Sequence, residues 1–395
     1  MDRFLEKTVA ITGVGQSEVG RPSTLSAMRL TADACLEAIA DAGLTPADID
    51  GVSCWPGDNS AGGSFSPVGG PAASEMLGLK VNWYGGGYEG PGPLSGVING
   101  AMAIATGLAR HVLVFRTITE SRARAGNKMA TSLTEKAAGR DGSPMFKWYT
   151  PFNAMSAVNL IAMYAQRHFH DFGTTSEQLG DIAITLRRHA QLNPKAVMRK
   201  PMSMDDYLNS KMISTPLRML DCDIHCDAST AMILSRREEA RDMTNPVIGI
   251  EAIGSALHQP NSWDQIDLTA MATADVGRML WSRTDIRPAD VDMAQLYDGF
   301  TILTLMWLEG LQFCERGEGG PFVEGGEQIA LTGRLPLNTN GGQLSGGRTH
   351  GLGYLHEACS QIWGRCGPRQ LVRHQTAVVA AGGGPLGGAI LLRRE

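Results

Sequence analysis

D-A-G-L-T-P-A-D-I-D at residues 41–50 and R-T-D-I-R-P-A-D-V-D at residues 283–292 are two copies of one pattern. Each copy follows a segment with helical periodicity and precedes a short apolar segment typical of a strand. The copies lie too far apart for a solenoid repeat, which runs about 20–50 residues. The pattern therefore predicts a duplicated domain, with the functional site where the two halves meet.

The composition is that of an ordinary globular protein. The chain has 395 residues, of which 43% are hydrophobic and 19% are charged, and its net charge is −5. This length predicts two domains, at roughly 150 residues each. The charged residues form no basic stripe, so nucleic acid is not an expected partner.

Several features favour a cytoplasmic protein. The N-terminus lacks the apolar run of a signal peptide. No uncharged apolar run of about 18 residues is present, so no membrane span is expected. The seven cysteines are an odd, scattered set, which suggests reduced thiols.

Short strands alternate with helices at both ends of the chain, which predicts an α/β fold. We predict an N-terminal half at residues 1–116 and a C-terminal half at residues 246–395. Residues 117–245 break the alternation and are predicted to form an inserted loop domain plus a strand that returns to the first half.

Two glycine or cysteine motifs give weaker signals. The glycines of G-V-G at 13–15 follow a strand-like run, but the full spacing of a dinucleotide-binding loop is absent. The stretch D-C-D-I-H-C-D at 221–227 contains potential metal ligands, yet no second cluster accompanies it. We therefore expect no metal, and we expect His225 and Asp227 to have structural roles.

Four stretches carry a resemblance to a known fold. They are A-I-A-T-G-L-A at 103–109, L-Y-D-G-F-T at 296–301, N-T-N-G-G-Q-L-S-G-G-R-T-H-G at 338–351 and A-A-G-G-G-P-L-G-G at 380–388. Together they resemble the thiolase superfamily, most closely its non-thiolytic branch of lipid-transfer-protein and sterol-carrier-protein-like members. The resemblance covers essentially the whole chain. It implies two βαβ halves in a five-layered αβαβα arrangement, a homodimer, and a small partner protein with an OB-fold and a zinc ribbon.

The residues that define thiolase chemistry are missing. By the resemblance, the nucleophilic Cys position falls at about Gly90, the histidine position on Arg348 and the second Cys position at Ala380. Covalent acyl transfer needs an activated thiolate, so ordinary thiolase chemistry is not expected.

The chain also resembles the steroid side-chain-cleaving aldolases of this branch, which have a tyrosine in a Y-D-x-F turn. Tyr297 stands at that place. The resemblance implies retro-aldol cleavage of a branched or steroidal β-hydroxyacyl-CoA to a ketone or aldehyde and a short acyl-CoA such as propionyl-CoA. Coenzyme A is then part of the substrate, and no separate cofactor is expected. The second tyrosine of these aldolases is replaced by Arg348, with His350 two residues later.

This chemistry assigns roles to the matched residues. Tyr297 is the predicted base, and its ordinary pKa of about 10 calls for a cation such as Arg348 to lower it. His350 is predicted to titrate near neutrality and to donate the last proton. Gly382, Gly383 and Gly384 are predicted to bind the substrate oxyanion through backbone N–H groups, and Asp298 is a predicted substrate-binding residue.

Each residue also has a structural interpretation. Tyr297 is alternatively a packed core residue, and Asp298 a cap of the helix that begins near Phe300. Arg348 is alternatively the partner of a carboxylate or of a CoA phosphate, and His350 the partner of a loop carbonyl. Two other functions stay open: an acyl-CoA acyltransferase without the usual Cys, and a non-catalytic subunit that binds acyl-CoA or lipid.

Overall fold

A computed structural model describes residues 4–57, 64–86, 91–126, 150–154, 156–258 and 267–395. The strands are β1 (Val9–Gln16), β2 (Gly51–Cys54), β3 (Trp83–Gly86), β4 (His111–Thr119), β5 (Met212–Ser214), β6 (Leu217–Arg218), β7 (Asp227–Arg236), β8 (Ile248–Leu257), β9 (Met293–Gln295), β10 (Thr376–Gly383) and β11 (Leu386–Arg394). The α-helices are α1 (Ala27–Asp41), α2 (Gly70–Leu77), α3 (Ser95–Ala105), α4 (Glu120–Gly126), α5 (Ala157–Phe172), α6 (Ser176–Gln191), α7 (Met204–Leu208), α8 (Arg237–Ala240), α9 (Met271–Trp281), α10 (Thr301–Gly310), α11 (Gly319–Val323) and α12 (Gly351–Ile362).

The two copies of P-A-D form the same local structure. Pro46–Asp48 and Pro288–Asp290 are both 3₁₀ turns with a proline in the first turn. In each, the aspartate accepts a hydrogen bond from the backbone N–H three residues earlier, over 2.8 Å at Asp48 and 3.1 Å at Asp290. The turns lead into β2 and β9 respectively. The repeated sequence therefore encodes a repeated structure, as predicted.

Nine strands form one mixed sheet in the order β3-β2-β4-β7-β1-β8-β11-β10-β9. The first five belong to the N-terminal half and the last four to the C-terminal half. Counted inward from the two P-A-D strands, the halves have the same order, β2-β4-β7-β1 and β9-β10-β11-β8. They join where β1 and β8 pair antiparallel at Ala10–Gly249 and Ile11–Ile248.

Helices cover this sheet in layers, as the sequence predicts. Helices α3 and α12 share one apolar cluster with strands of both halves, so they form the central layer. Helix α1 packs on the outer face of the first half with β2, β4 and β7. Helices α9 and α10 pack on the outer face of the second half together with α5 and α6. The predicted α/β fold with two similar halves is thus confirmed.

The glycines of G-V-G at 13–15 serve packing in this arrangement. A Cβ on Gly13 would lie 2.4 Å from the carbonyl oxygen of Ala38, and one on Gly15 would lie 2.2 Å from that of Ala34. Both carbonyls belong to α1. Glycine at these positions lets α1 lie directly on β1, which explains the motif without a bound phosphate.

The predicted insertion contains α5 and α6, after which β7 returns to lie between β4 and β1. Residues 127–149, most of its early polar stretch, lie outside the described residues, and the boundaries at 117 and 245 stay a prediction. In the sequence, His168 and His170 flank Phe169 at an apparent helix end, which predicts surface positions for both. The prediction is wrong for His168, since only His170 is exposed. His168 is fully buried and bonds Glu309 over 3.0 Å, because α10 packs against α5.

In the described part of the chain, none of the helices combines the length and the apolar character that crossing a membrane requires.

Candidate active site

The site lies at the carboxyl edge of β9 and β10. These strands run parallel, with Val379 opposite Gln295, so their ends meet at the same edge. Tyr297 follows β9, and the glycines 382–384 end β10 and begin the turn to β11. The first half reaches this edge through Gly92, where an added Cβ would lie 3.7 Å from the Cα of Gly382.

Tyr297 lies over a glycine and leaves its hydroxyl unbonded. An added Cβ on Gly299 would lie 2.5 Å from Cε1 and 2.8 Å from the hydroxyl of Tyr297. Within the described residues, the hydroxyl makes no hydrogen bond, although the ring packs against both large apolar clusters. Burial raises the pKa of the phenol above its ordinary value, and Asp223 raises it further, while Arg348 opposes the rise. The expectation of a lowered tyrosine pKa is therefore wrong in its net direction.

Arg348 is held by two carboxylates. Its Nε and Nη2 donate to Glu120 over 2.9 Å and 2.5 Å, and its Nη1 lies 3.4 Å from the nearer oxygen of Asp223. Burial opposes the charge, but Asp223 and Glu120 raise the pKa of the guanidinium above its usual value. The alternative in which Arg348 pairs with a carboxylate is confirmed, and Arg348 still supplies a fixed positive charge near Tyr297.

His350 is buried in an unusual backbone conformation. It is 5% exposed, and its φ of 56° is rare for a residue with a side chain. Its backbone N–H donates to the side chain of Gln343 over 3.1 Å, and its ring meets Phe65 edge-on at 5.3 Å. Its Nε2 is buried and makes no hydrogen bond within the described residues.

The environment of His350 keeps it neutral. Burial lowers its pKa well below 6.5, and the charges of Arg116 and Arg348 lower it further. The expected titration near neutrality is therefore wrong. The alternative of a bond from its ring to a loop carbonyl is not seen among the described residues either, so the ring offers a neutral imidazole nitrogen to the site.

Arg116 is a first-half residue that the sequence argument missed. It is 3% exposed, at the centre of β4, and its guanidinium lies 4.7 Å from the ring centre of Trp55 and 4.3 Å from that of Phe65. It donates to the backbone carbonyls of both residues. A buried strand predicts apolar side chains, so the charged residue in V-L-V-F-R was the available signal.

Asp298 connects the turn after β9 to the glycine-rich loop. Its carboxylate accepts backbone N–H bonds from Gln343 at 2.9 Å and from Leu344 at 3.2 Å, and it accepts the hydroxyl of Tyr354. The interpretation of Asp298 as the cap of α10 is wrong, because Phe300 occupies the cap position and no side chain caps that helix. Its role in substrate binding stays a prediction.

Asp223 was missed altogether. It lies in the D-C-D-I-H-C-D stretch, for which the sequence predicted no metal and structural roles for His225 and Asp227. Burial raises the pKa of its carboxyl to about 7, where Arg348 lowers it and Glu120 raises it. An acidic residue shortly before the buried strand β7 was the available signal. The neighbouring His225 has a pKa lowered to about 3 by burial and by Arg348.

Asp227 has the structural role that was expected. It is fully buried, and its carboxylate accepts backbone N–H bonds from Ser121 at 2.9 Å and Arg122 at 3.1 Å at the start of α4. It also accepts the N–H of Ser23 at 3.0 Å. These bonds fix the beginning of α4, and with it Glu120.

The glycines 382–384 all adopt positive φ angles, which a side chain would disfavour. The carbonyl of Gly382 accepts the indole N–H of Trp307 at 3.0 Å, and that of Gly384 accepts the N–H of Ala272 at 3.0 Å. Their part in holding an oxyanion stays a prediction.

Thiol chemistry has no support at this site. Gly90 lies outside the described residues, and Ala380 is fully buried in β10. Burial raises the pKa of Cys222 and of Cys314 to about 12, and of other cysteines beyond that. Among the described residues, no group of three His, Cys, Asp or Glu side chains has the arrangement of a metal site.

Two curated relatives that match nearly the whole chain are steroid-cleaving lyases. The chain is 35% identical over 98% of its length to the 17-hydroxy-3-oxo-4-pregnene-20-carboxyl-CoA lyase of Mycobacterium tuberculosis, all of which is covered. It is 34% identical, over 98% of both chains, to the steroid side-chain-cleaving aldolase of Thermomonospora curvata. The chain belongs to the steroid side-chain-cleaving aldolase family.

Two further matches agree with this membership of the aldolase family. Residues 254–392 match the family of thiolase C-terminal domain-like sequences. A solved structure described as Ltp2-ChsH2(DUF35) aldolase superposes with a TM-score of 0.87 at 32% identity, covering 99% of this chain and 98% of that one. In this chain the thiolase fold places Tyr297 and the charged Arg348, rather than an activated thiol, at the edge where β9 and β10 end.

Proposed function

We propose that the protein is a carbon–carbon lyase that cleaves a branched or steroidal β-hydroxyacyl-CoA by a retro-aldol reaction. The observation that carries this is Tyr297, whose unbonded hydroxyl lies at the carboxyl edge of β9 in a chain of the aldolase family. The Mycobacterium tuberculosis relative is named for a 17-hydroxy-20-carboxyl-CoA substrate. In that compound the 17-hydroxyl is β to the thioester. A retro-aldol reaction therefore breaks the bond between C17 and C20 and yields a 17-ketone and propionyl-CoA.

The surrounding residues support a division of roles. The phenol of Tyr297 binds the β-hydroxyl and exchanges a proton with it. Arg348, fixed by Glu120 and Asp223, stabilises negative charge that develops near the phenol. Neutral His350 offers its unpaired Nε2 as a hydrogen-bonding group. The backbone of glycines 382–384 holds the thioester oxygen as the enolate forms.

We also propose two kinds of protein partner and a cytoplasmic location. β3 is an edge strand of the sheet and shows no second neighbour in the described chain, which supports a homodimer through that edge. The structure named Ltp2-ChsH2(DUF35) aldolase supports a small OB-fold partner. Seven free thiols support the reducing cytoplasm.

The test is incubation of the purified protein, alone and with a DUF35-type partner, with 17-hydroxy-3-oxo-4-pregnene-20-carboxyl-CoA. Chromatography is expected to show a 17-ketosteroid and propionyl-CoA in equal amounts. Recovery of intact substrate under both conditions, with β-hydroxyacyl-CoA analogues also uncleaved, would contradict the proposal.

Tyr297→Phe tests the residue that carries the proposal. It keeps the ring and removes the hydroxyl, so turnover should fall by about 100- to 10,000-fold with little change in substrate affinity. Tyr84→Phe is the matched control, since Tyr84 is 71% exposed on β3 and should keep the parent rate. Full activity in Tyr297→Phe would remove the phenol from the mechanism.

A further inference from the structure

We propose that Asp223 is the second acid–base group of this site, receiving the substrate proton through Tyr297 and returning it to the enolate carbon. This inference rests on the proposed aldolase function. It supplies the second acid–base group in a chain where Arg348 replaces the second tyrosine of the aldolases, and it moves the proton-transfer role away from His350.

The segment that bears Asp223 is fixed on both sides. The N–H of Asp223 donates to the carbonyl of Gly299 at 3.1 Å, and the N–H of Ile224 donates to that of Gln343 at 3.0 Å. The N–H of Arg348 donates to the carbonyl of Ile224 at 2.8 Å. Asp223 is therefore held between the turn that contains Tyr297 and the loop that contains Arg348.

The side chain of Asp223 is held in place by its neighbours but makes only long contacts with them. It is 9% exposed, and its contacts to Nη1 of Arg348 are long, at 3.4 Å and 3.5 Å. Glu120 takes the shorter, two-pronged contact with the same guanidinium. Arg348 thus stays neutralised by Glu120 while Asp223 gains and loses a proton.

The phenol requires such a partner. Because the pKa of Tyr297 is raised, the residue is a neutral phenol at pH 7 and takes a proton only if it gives one up. No hydrogen bond joins Tyr297 directly to Asp223 in the described structure, so the proposal places a bridging water molecule between them. The hydrogen bond from the N–H of Asp223 to the carbonyl of Gly299 places Asp223 beside the turn that contains Tyr297.

The steps balance without an oxidant or reductant. The β-hydroxyl gives its proton to the phenol oxygen as the phenol proton passes to the Asp223 carboxylate. The C–C bond then breaks, its electron pair forms the thioester enolate, and the former hydroxyl carbon becomes a carbonyl. Protonated Asp223 finally gives its proton to the enolate carbon, which restores the carboxylate.

The first test is the pH dependence of turnover. The charged and titratable groups that interact with Asp223 are Arg348, Glu120, Asp298, Tyr297 and the thiols of Cys222 and Cys226. Since Asp223 must be ionised to accept a proton, turnover is expected to rise with pH through about 7. Asp223→Asn should lose about 100-fold or more in turnover and should lose this rise. Turnover that is independent of pH between 6 and 8 in the parent protein would overturn the proposal.

The second test isolates the carbon protonation step. In D₂O the parent protein should exchange the α-hydrogens of propionyl-CoA for deuterium, and mass spectrometry measures this exchange. Asp223→Asn should abolish this exchange, whereas Tyr297→Phe should lose cleavage and keep exchange. Exchange at the parent rate in Asp223→Asn would overturn the role of Asp223 and leave the aldolase function intact. Absence of cleavage by the parent protein would instead refute the proposed function itself.

Asp292→Asn is the matched control. Asp292 is also a buried carboxylate paired with an arginine, Arg373 at 2.7 Å, but it precedes β9 at the opposite end of that strand. It should lose stability without losing exchange or the pH profile. If Asp223→Asn melts at a much lower temperature than the control, Asp223→Glu, which keeps a carboxylate, decides: partial exchange supports the proposal and none overturns it.

Discussion

At the scale of single residues, burial shifts the pKa values of the site residues away from those that residue type suggests. Tyr297 becomes a weaker acid than a free phenol, His350 becomes too weak a base to ionise at pH 7, and Asp223 titrates at about 7. In all three, removal of the ionised form from water is the largest cause. Two buried carboxyls, Asp223 with a pKa raised to about 7 and Asp298 with a pKa raised to about 6, are thus the groups whose charge changes near neutrality, rather than the histidine.

Gly299→Ala tests how precisely the phenol of Tyr297 must lie. The new Cβ would fall 2.5 Å from the ring, so the ring must move while the fold stays intact. Turnover should fall by roughly 10- to 100-fold, since a displacement of about 1 Å has effects of that size. Gly70→Ala is the control, because its Cβ would meet Val52 at an ordinary 3.5 Å. Equal turnover in both variants would show that turnover does not depend on the exact position of the phenol.

At the scale of elements, the short helix α4 positions the charges of the site. Asp227 accepts hydrogen bonds from two backbone N–H groups at the start of α4. Glu120 is the first residue of α4, and it forms an ion pair with Arg348. The cap of this seven-residue helix therefore influences the position of Arg348, which belongs to the other half of the molecule. The residue that caps and the residue that pairs are separated along the chain, so only folding brings them together.

Asp227→Ala should reduce both stability and turnover. Loss of the cap should lower the free energy of unfolding by about 1–2 kcal/mol. Because Glu120 then loses its fixed position, turnover should fall by roughly 10-fold or more. Ser26→Ala removes the cap of α1, where Ser26 accepts the N–H of Arg29 at 3.2 Å. The Ser26→Ala control should lose stability and keep the parent turnover. A turnover equal to that of the parent protein in Asp227→Ala would show that α4 does not position the charges of the site.

At the scale of the whole molecule, the sheet has two outer edges, β3 and β9, because the junction of β1 and β8 joins the two halves internally. The outer side of β9 is bonded by another segment, since Ala294 donates to the carbonyl of Pro336 and accepts the N–H of Asn338, both at 3.0 Å. β3 pairs with β2 along its length, and Tyr84 on it is largely exposed. An exposed edge strand with an exposed aromatic residue is suited to pairing with a second copy of the chain.

Tyr84→Lys tests the proposed homodimer. A charge placed on the β3 edge should weaken pairing and shift the protein from dimer to monomer in light scattering coupled to gel filtration. Val372→Lys is the control, since Val372 is 96% exposed and lies away from this edge. A dimer that survives in Tyr84→Lys with its affinity unchanged would place the interface elsewhere.

The sequence by itself determined the duplication, the α/β class, the family and the place of Tyr297. These properties are encoded locally: P-A-D makes the same 3₁₀ turn twice, and alternating short apolar segments indicate strands wherever they lie. Only the tertiary structure decided the charge states of Tyr297 and His350, and the part played by Asp223. Those depend on burial and on charges from segments distant along the chain, such as Glu120 and Arg348, and a linear sequence shows neither the loss of water nor the distances between charges.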